Sequence, residues 1–390
     1  MNVLIAVPWD QETGGVAFVV GHLARHLRDQ GHGVLFLHPS ARRWPRRKVT
    51  RWGFPGYEVN LRSPTSPPSL RARIAHTVTY PVTFLALFWI LRRHRIDLVN
   101  VHYPSAMFGY FGSLRRQMRR LRLVVSVHGT DLTGPSPDGA EVDGITAELL
   151  EASDAVVTPS LGFARQCRAV LGELASRLHV IHNGVTLSEF VGTPAVRAGG
   201  IVLTVASLDP WKGLDVLIRA FGGLLGEEKG LRLLIAGSGP EREALGALVQ
   251  ELDLQDVVEF LGQVDRPTLK RLLATCTVFA LPSRSEPFGI VVAEALAAGA
   301  PTVATEVGGI PEILDAGAYG LLVPPDDVAA LQAALGRLLR DDGLRRALSA
   351  SGPSRAAAEF QWEFTGRRYL DLFQTLLGSP RCAASQPSSA

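Results

Sequence analysis

Two glutamates stand with seven residues between them in the run Pro282-Ser283-Arg284-Ser285-Glu286-Pro287-Phe288-Gly289, continued by Ile290-Val291-Val292-Ala293-Glu294. The run reads as strand, loop, helix and stop. Val278–Leu281 is short and apolar, Pro287 suits a helix start, and Gly299 with Pro301 ends the helix. A helix beginning near Phe288–Gly289 leaves its first N–H groups without intrahelical partners, and its dipole is positive there. Such an end is a ready site for sugar hydroxyls or a diphosphate. Glu286 precedes the helix and Glu294 lies about two turns inside it. One carboxylate can address a reacting sugar, while the other can accept both hydroxyls of a ribose.

The elements that must position these groups alternate between strand and helix. Asn2–Val7 is a short apolar strand, Thr13-Gly14-Gly15 a turn, and Val16–Gln30 a helix with Val16, Val19, Val20, Leu23 and Leu27 on one face. Val34–His38, Asp97–His102, Arg122–His128, Ala155–Pro159 and Val180–Asn183 are further strands. A second series follows the Gly/Pro/Ala-containing stretch 192–200. Its strands are Ile201–Ala206, Leu231–Ala236, Val257–Leu261, Val278–Leu281 and Thr302–Thr305, with helices at Leu214–Leu225 and Glu241–Leu252. Repeated β-α-β units with apolar strands imply parallel sheets covered on both faces. Two tandem series imply two doubly wound domains, whose ligands bind at the carboxyl ends of the strands and in the cleft between them.

The glutamate pair with Pro-Phe-Gly after its first member resembles the signature of glycosyltransferase family 4, of the GT-B fold. The resemblance spans nearly the whole chain. Its other motifs are Gly14-Gly15, His128-Gly129-Thr130-Asp131, His182-Asn183-Gly184-Val185, Lys212-Gly213 and Gly237-Ser238-Gly239-Pro240. Gly308-Gly309-Ile310-Pro311-Glu312 and Gly320-Leu321-Leu322-Val323-Pro324 complete the set. Each is weak alone; their order and spacing carry the resemblance. It implies an α/β chain of two Rossmann-like domains facing a deep cleft, with residues 1–190 on the acceptor side and 191–360 binding the donor. A helix over 361–378 would cross back to the first domain, and 379–390 would be a disordered tail.

The resemblance further implies transfer, with retention and without a metal, from a nucleotide-diphosphate-sugar to an acceptor. Glu286 would lie beside the transferred sugar and His128 near the anomeric centre. Glu294 would bind the ribose, and the amides of Phe288, Gly289 and Ile290 would meet the sugar and diphosphate. Lys212 would bind phosphate, and Gly14 and Gly15 would let backbone approach it. No Asp-x-Asp occurs in the chain, as expected where fixed cations and helix ends neutralise a leaving diphosphate; no cofactor is expected. The family's phosphate turn commonly carries an Arg about five residues before the Lys, where this chain has Ser207. Arg284 is the nearest substitute cation in sequence. Two rivals share the fold: a nucleotide-sugar epimerase, and a non-catalytic sugar-nucleotide-binding partner protein.

Blander readings apply to several residues. A Glu before a helix-start Pro is ordinarily surface, and a His after an apolar strand is ordinarily structural. Gly237-x-Gly239 lacks the rest of a dinucleotide fingerprint and reads as a tight turn. His22 and His26 sit four apart on a helix without the Glu of a zinc-protease motif.

Of 390 residues 46% are hydrophobic and 20% charged, ordinary for a globular chain. Cys167, Cys276 and Cys382 show neither metal spacing nor a disulfide framework, which fits a reducing compartment. The first 24 residues hold no Lys or Arg, unlike a signal peptide, and no apolar run is long enough to span a bilayer. The expectation is a cytoplasmic protein, peripheral at the inner face of the membrane. Residues 1–197 hold 23 Lys/Arg against 14 Asp/Glu, a net +9, and residues 198–390 hold 17 against 23, a net −6. The run Arg42, Arg43, Arg46, Arg47, Lys48 and Arg51, with Trp44 and Trp52 beside it, is read as a solvated loop or a surface for an anionic membrane or lipid-linked acceptor. No nucleic-acid motif accompanies it. Phe84–Ile90 is expected to form a buried helix leading into the strand at Asp97, the other reading being a segment that dips into a bilayer.

Overall fold

The computed structural model describes residues 1–9, 14–42, 44–62, 70–133, 143–190, 200–226 and 230–378. The expected interdomain stretch at 192–199 and the tail at 379–390 lie outside the described residues.

The expected α/β architecture is present, with two sheets. The first contains β1 (Asn2–Ala6), β2 (Gly33–Pro39), β3 (Arg46–Val49), β4 (Pro55–Val59), β5 (Leu98–His102), β6 (Arg122–Ser126), β7 (Ala155–Thr158) and β8 (Leu178–Val180). Their order is β3-β4-β2-β1-β5-β6-β7-β8, and β3 pairs antiparallel with β4. The second contains β9 (Ile201–Val205), β10 (Arg232–Ala236), β11 (Val258–Gly262), β12 (Val278–Leu281), β13 (Thr302–Thr305) and β14 (Leu321–Val323). It runs β11-β10-β9-β12-β13-β14 with parallel pairing throughout. By compactness the chain forms one unit of 1–126, 143–156 and the residues from Gly366, and a second unit of 127–142 and 157–365.

Central strands are apolar on both faces because helices cover both. Ile5 of β1 stands between Phe36 and Asn100 and is fully buried. The helix Gly15–Asp29 buries Ala17, Val19, Val20, Leu23, Ala24 and Leu27, and ends at Gly31, whose φ is +78°. In the second sheet β9 is flanked by β10 and β12, so the crossovers reverse there. The loops leaving β9 and β12 at their carboxyl ends face the crevice that such a reversal opens.

Three expectations change. The strand expected at Val180–Asn183 is β8, Leu178–Val180. Beyond it the backbone of the His182 motif has other partners: the Thr365 hydroxyl donates to the His182 carbonyl at 2.8 Å, and the Val185 amide to Phe360 O at 2.6 Å. The basic run is not a loop throughout, since Arg46–Val49 is the edge strand β3, with Lys48 bound to Glu58 at 3.1 Å. Cations on an edge strand discourage pairing with another chain. From residue 79 on, the helix Leu70–Arg93 buries one face only: Thr83, Leu87, Ile90 and Leu91 face the core, whereas Val82, Leu85 and Trp89 are exposed.

Candidate active site

The loop leaving β9 carries Ser207, exposed, and then the short 3-10 turn Pro210–Lys212. Gly213 closes the turn at φ +63°, and a Cβ there would lie 2.2 Å from Pro282 O. Only glycine lets this loop rest on the end of β12. The loop from β12 holds it from the other side. The amides of Arg284 and Ser285 donate to Trp211 O at 2.8 and 3.3 Å. The Arg284 guanidinium adds bonds to Pro210 O at 2.6 Å, to both Asp215 oxygens at 2.9 and 2.8 Å, and to Asp326 at 2.6 Å. Arg284 is therefore spent on two carboxylates, and its place is to tie two loops together. Lys212 emerges from this frame with Nζ 2.6 Å from Glu286 Oε2.

Glu286 is fixed by the glycine motif that follows β13. The Gly309 amide donates to Glu286 O at 3.2 Å. A Cβ on Gly308, whose φ is +53°, would come within 1.7 Å of that oxygen. Gly289, at φ +100°, caps the helix Ile290–Ala297, which begins within two residues of the expected start near Phe288–Gly289. The amides of Phe288, Gly289 and Ile290 make no hydrogen bond among the described residues. The Gly237-Ser238-Gly239 turn packs directly on the β9 loop: a Cβ on Gly237 would meet Ala206 O at 1.8 Å, and one on Gly239 would meet Leu208 O at 2.5 Å.

Residues 13–189 match the family profile described as Glycosyltransferase Family 4, and residues 194–355 match Glycosyl transferases group 1. Over 98% of the chain and 90% of the relative, identity is 30% to the D-inositol 3-phosphate glycosyltransferase of Acidothermus cellulolyticus. The chain belongs to glycosyltransferase family 4. The phosphatidyl-myo-inositol mannosyltransferase of Mycolicibacterium smegmatis is 30% identical over 97% of this glycosyltransferase and 95% of its own length. Among solved structures, sucrose-phosphate synthase from Thermosynechococcus elongatus superposes with a TM-score of 0.77 at 25% identity, covering 96% of this chain and 99% of that one. These matches are to glycosyltransferases, so neither the epimerase nor the non-catalytic reading is favoured.

In this glycosyltransferase the second glutamate has a partner of its own. Glu294 is 6% exposed, and Arg266 Nη1 donates to it at 2.6 Å. Burial raises the Glu294 carboxyl above the usual range, and Arg266 opposes the rise. Arg266 is also bonded to Glu189. It opens the helix Arg266–Thr275, capped by Asp265.

His128 belongs to the second unit. Its amide and that of Gly129 donate to Asp131, at distances from 2.6 to 3.0 Å. Gly129 lies against Pro287, where a Cβ would be 2.6 Å from Cγ, so the His128 loop adjoins the residue after Glu286. Burial lowers the His128 imidazole to about 4, and burial raises Asp131 to about 7 against the pull of the amides. At neutral pH the His128 ring is uncharged.

Glu312, from the glycine motif, reaches the N-terminus of the helix Leu161–Leu171. It accepts from the Leu161 and Gly162 amides at 2.9 and 2.7 Å and binds His182 Nε2 at 2.9 Å. Burial alone would raise its carboxyl; His182 and the two amides hold it below the usual range. Ser160 caps that helix through the Phe163 amide and donates to Pro287 O at 2.6 Å.

Ser207, Lys212, Arg284, Glu286, Phe288 and Gly289 thus lie on the loops at the ends of β9 and β12. Ile290 and Glu294 are in the helix that follows, where Glu294 is held by Arg266, and Gly129, next to His128, lies against Pro287. Gly14 and Gly15 begin the first helix of the other unit, Gly14 at φ +103°. Sequence reasoning missed Arg266, Glu189 and the role of Glu312. The Asp-x-x-Thr cap at Asp265 marks the start of the Arg266 helix, but nothing local announces its carboxylate partners.

Proposed function

We propose that the protein transfers a sugar, with retention and without a divalent metal, from a nucleoside-diphosphate-sugar to a hydroxyl of an anionic acceptor. The Lys212–Glu286 pair, 2.6 Å apart beside the open amides of Phe288–Ile290, carries this reading. A leaving diphosphate gathers negative charge as its glycosidic bond breaks, and preorganised positive groups aimed at that charge are usually the largest catalytic effect. Lys212 and the helix end supply them here, and the chain has no Asp-x-Asp. Glu294 suits the ribose diol.

Retention is supported by the weakness of the bases present. A general base works best with a pKa near the operating pH. His128 is held at about 4, and Asp131, raised to about 7, has both carboxylate oxygens engaged by the His128 and Gly129 amides. That leaves a departing phosphate oxygen to take the acceptor proton on the leaving-group face. The net +9 of residues 1–197, including the run Arg42–Arg51, supports an anionic acceptor or an anionic membrane surface. The inositol phosphate and phosphatidylinositol in the names of the two relatives are acceptors of that class. Among the described residues no helix is long and apolar enough to cross a membrane; a peripheral position at the cytoplasmic face fits the charge asymmetry.

The test is donor turnover in excess chelator across a panel of nucleotide sugars, with the product anomer read by NMR. An inverted product, or activity that returns only with Mg²⁺ or Mn²⁺, overturns the corresponding part.

A further inference from the structure

Of the seven large apolar side chains exposed among the described residues, five belong to the first unit: Trp44, Val49, Val82, Leu85 and Trp89. Three of them share one helix. Val82, Leu85 and Trp89 are spaced by three and four, so they form a single stripe on Leu70–Arg93. Leu85 is 65% and Trp89 53% exposed, so the stripe is not core. One turn further the same side carries Arg92 and Arg93, both exposed. The Arg92 guanidinium lies 5.5 Å from the Phe88 ring centroid, holding charge at the apolar margin.

The basic edge strand meets the end of the same helix on its core-facing side, since His94 follows buried Leu87 by seven residues and Ile90 by four. Arg47 Nε donates to Tyr57 OH at 3.1 Å, and Tyr57 OH lies 3.1 Å from Nε2 of His94, at the end of the helix. Edge protection accounts for the cations of β3; it does not account for an exposed Leu and Trp on the helix's outer face.

We propose that the Val82–Leu85–Trp89 stripe, with its margin of Arg92 and Arg93, is the face that seats this glycosyltransferase on an anionic lipid leaflet. This deepens the anionic-surface part of the proposed function by naming the surface and adding an apolar anchor. An amphipathic helix of this kind lies in the headgroup plane with its apolar side chains inserted. Tryptophan favours that interface, and each neighbouring Lys or Arg is drawn to the negative surface potential. The cations argue against a parallel pairing with a second copy, which would bring Arg92 and Arg93 of both copies together.

The experiment is co-sedimentation of the full chain with vesicles of phosphatidylcholine alone and mixed with phosphatidylglycerol. The protein is expected to sediment with the anionic vesicles only, and less as salt rises. Leu85→Ser with Trp89→Ser should weaken that binding at least tenfold, as should Arg92→Ser with Arg93→Ser. Acceptor-free donor hydrolysis and Tm should stay as in the wild type, which shows that the variants fold. Wild-type sedimentation by the Leu85/Trp89 variant overturns the stripe. If Arg42/Arg43/Arg46/Arg47→Ser then abolishes binding, the broader anionic-surface reading survives alone. Absence of wild-type binding to anionic vesicles removes both. A concentration-dependent dimer lost in the Leu85/Trp89 variant, with vesicle binding unchanged, assigns the stripe to a second copy and overturns the proposal.

Discussion

The ammonium of Lys212 and the carboxylate of Glu286 lie 2.6 Å apart although 74 residues separate them in the chain. Each is 16% or less exposed, so the pair is largely withdrawn from solvent. Lys212→Ala removes the cation proposed to face the diphosphate and leaves Glu286 without its ion-pair partner. The expected loss in kcat/KM for the donor is about two to four orders of magnitude, scaled from removal of one oxyanion donor. Ser207 is exposed at the end of β9, so Ser207→Arg has room and should tighten donor binding. Near-normal donor kinetics for Lys212→Ala would refute the phosphate assignment.

The two glutamates should fail differently. Glu286→Ala should lower kcat, because the proposed function sets Glu286 against the reacting sugar. Glu294→Ala should raise donor KM about tenfold to a hundredfold, since ribose hydroxyls do not change in the transition state. Burial already raises the Glu294 carboxyl, and in the proposed role its ionised form accepts the diol. Donor KM should therefore rise as pH falls, and in Arg266→Ala that rise should begin at higher pH. Steady-state kinetics across pH, with ribo- and 2′-deoxyribo-donors, reads both effects. A pH-independent KM in Arg266→Ala would show that Arg266 does not tune Glu294.

Arg284→Ala should act through position rather than charge on the donor. The Arg284 guanidinium stays raised, chiefly through its bonds to Asp215, and it also holds Pro210 O. Because both acids are substantially exposed, the loss of stability should be modest, about 1 kcal/mol. Arg284→Lys should recover part of kcat/KM, and the defect should follow Tm. A full loss of donor affinity at unchanged Tm would instead mean that Arg284 meets the phosphate.

Gly308→Ala should disable the enzyme without touching a side chain of the site. Left-handed backbone costs a non-glycine residue about 1–2 kcal/mol. The added methyl would also drive into Glu286 O, 1.7 Å away before any relaxation. The expected result is a lowered Tm and a kcat loss like that of Glu286→Ala. Wild-type kcat would show that the Gly308 loop can move without displacing Glu286.

Glu312 gives a pH signature. Its carboxyl is depressed from the ordinary 4.5 by His182 and two helix-end amides, despite burial. A depressed carboxylate contributes stability that is present above the unfolded value and lost as pH falls through the folded one. The Tm difference between wild type and Glu312→Gln should be steady above about pH 4.5 and shrink below it. A difference that grows on acidification would contradict this arrangement.

What the sequence determined by itself is what short-range physics sets. Buried strands such as Val3–Ala6 and Val278–Leu281 are apolar because both faces are covered. The helix from Gly15 and the stop at Gly299 follow from periodicity and from glycine's access to positive φ. The spacing from Glu286 to Glu294, with an open helix end between them, is likewise local, and it carried the resemblance. Only tertiary structure decided which charges meet. Arg284 stands two residues from Glu286 in sequence, yet it is claimed by Asp215, 69 residues away, and by Asp326. Arg266 finds Glu294 and Glu189, and Glu312 finds an amide 151 residues distant. The basic run became an edge strand because Pro55–Val59 offered it a partner, and the Leu70–Arg93 helix kept Leu85 and Trp89 outside because only one of its faces met the sheet. Ion pairs and exposed faces depend on which surfaces packing brings together, and no spacing along the chain encodes that.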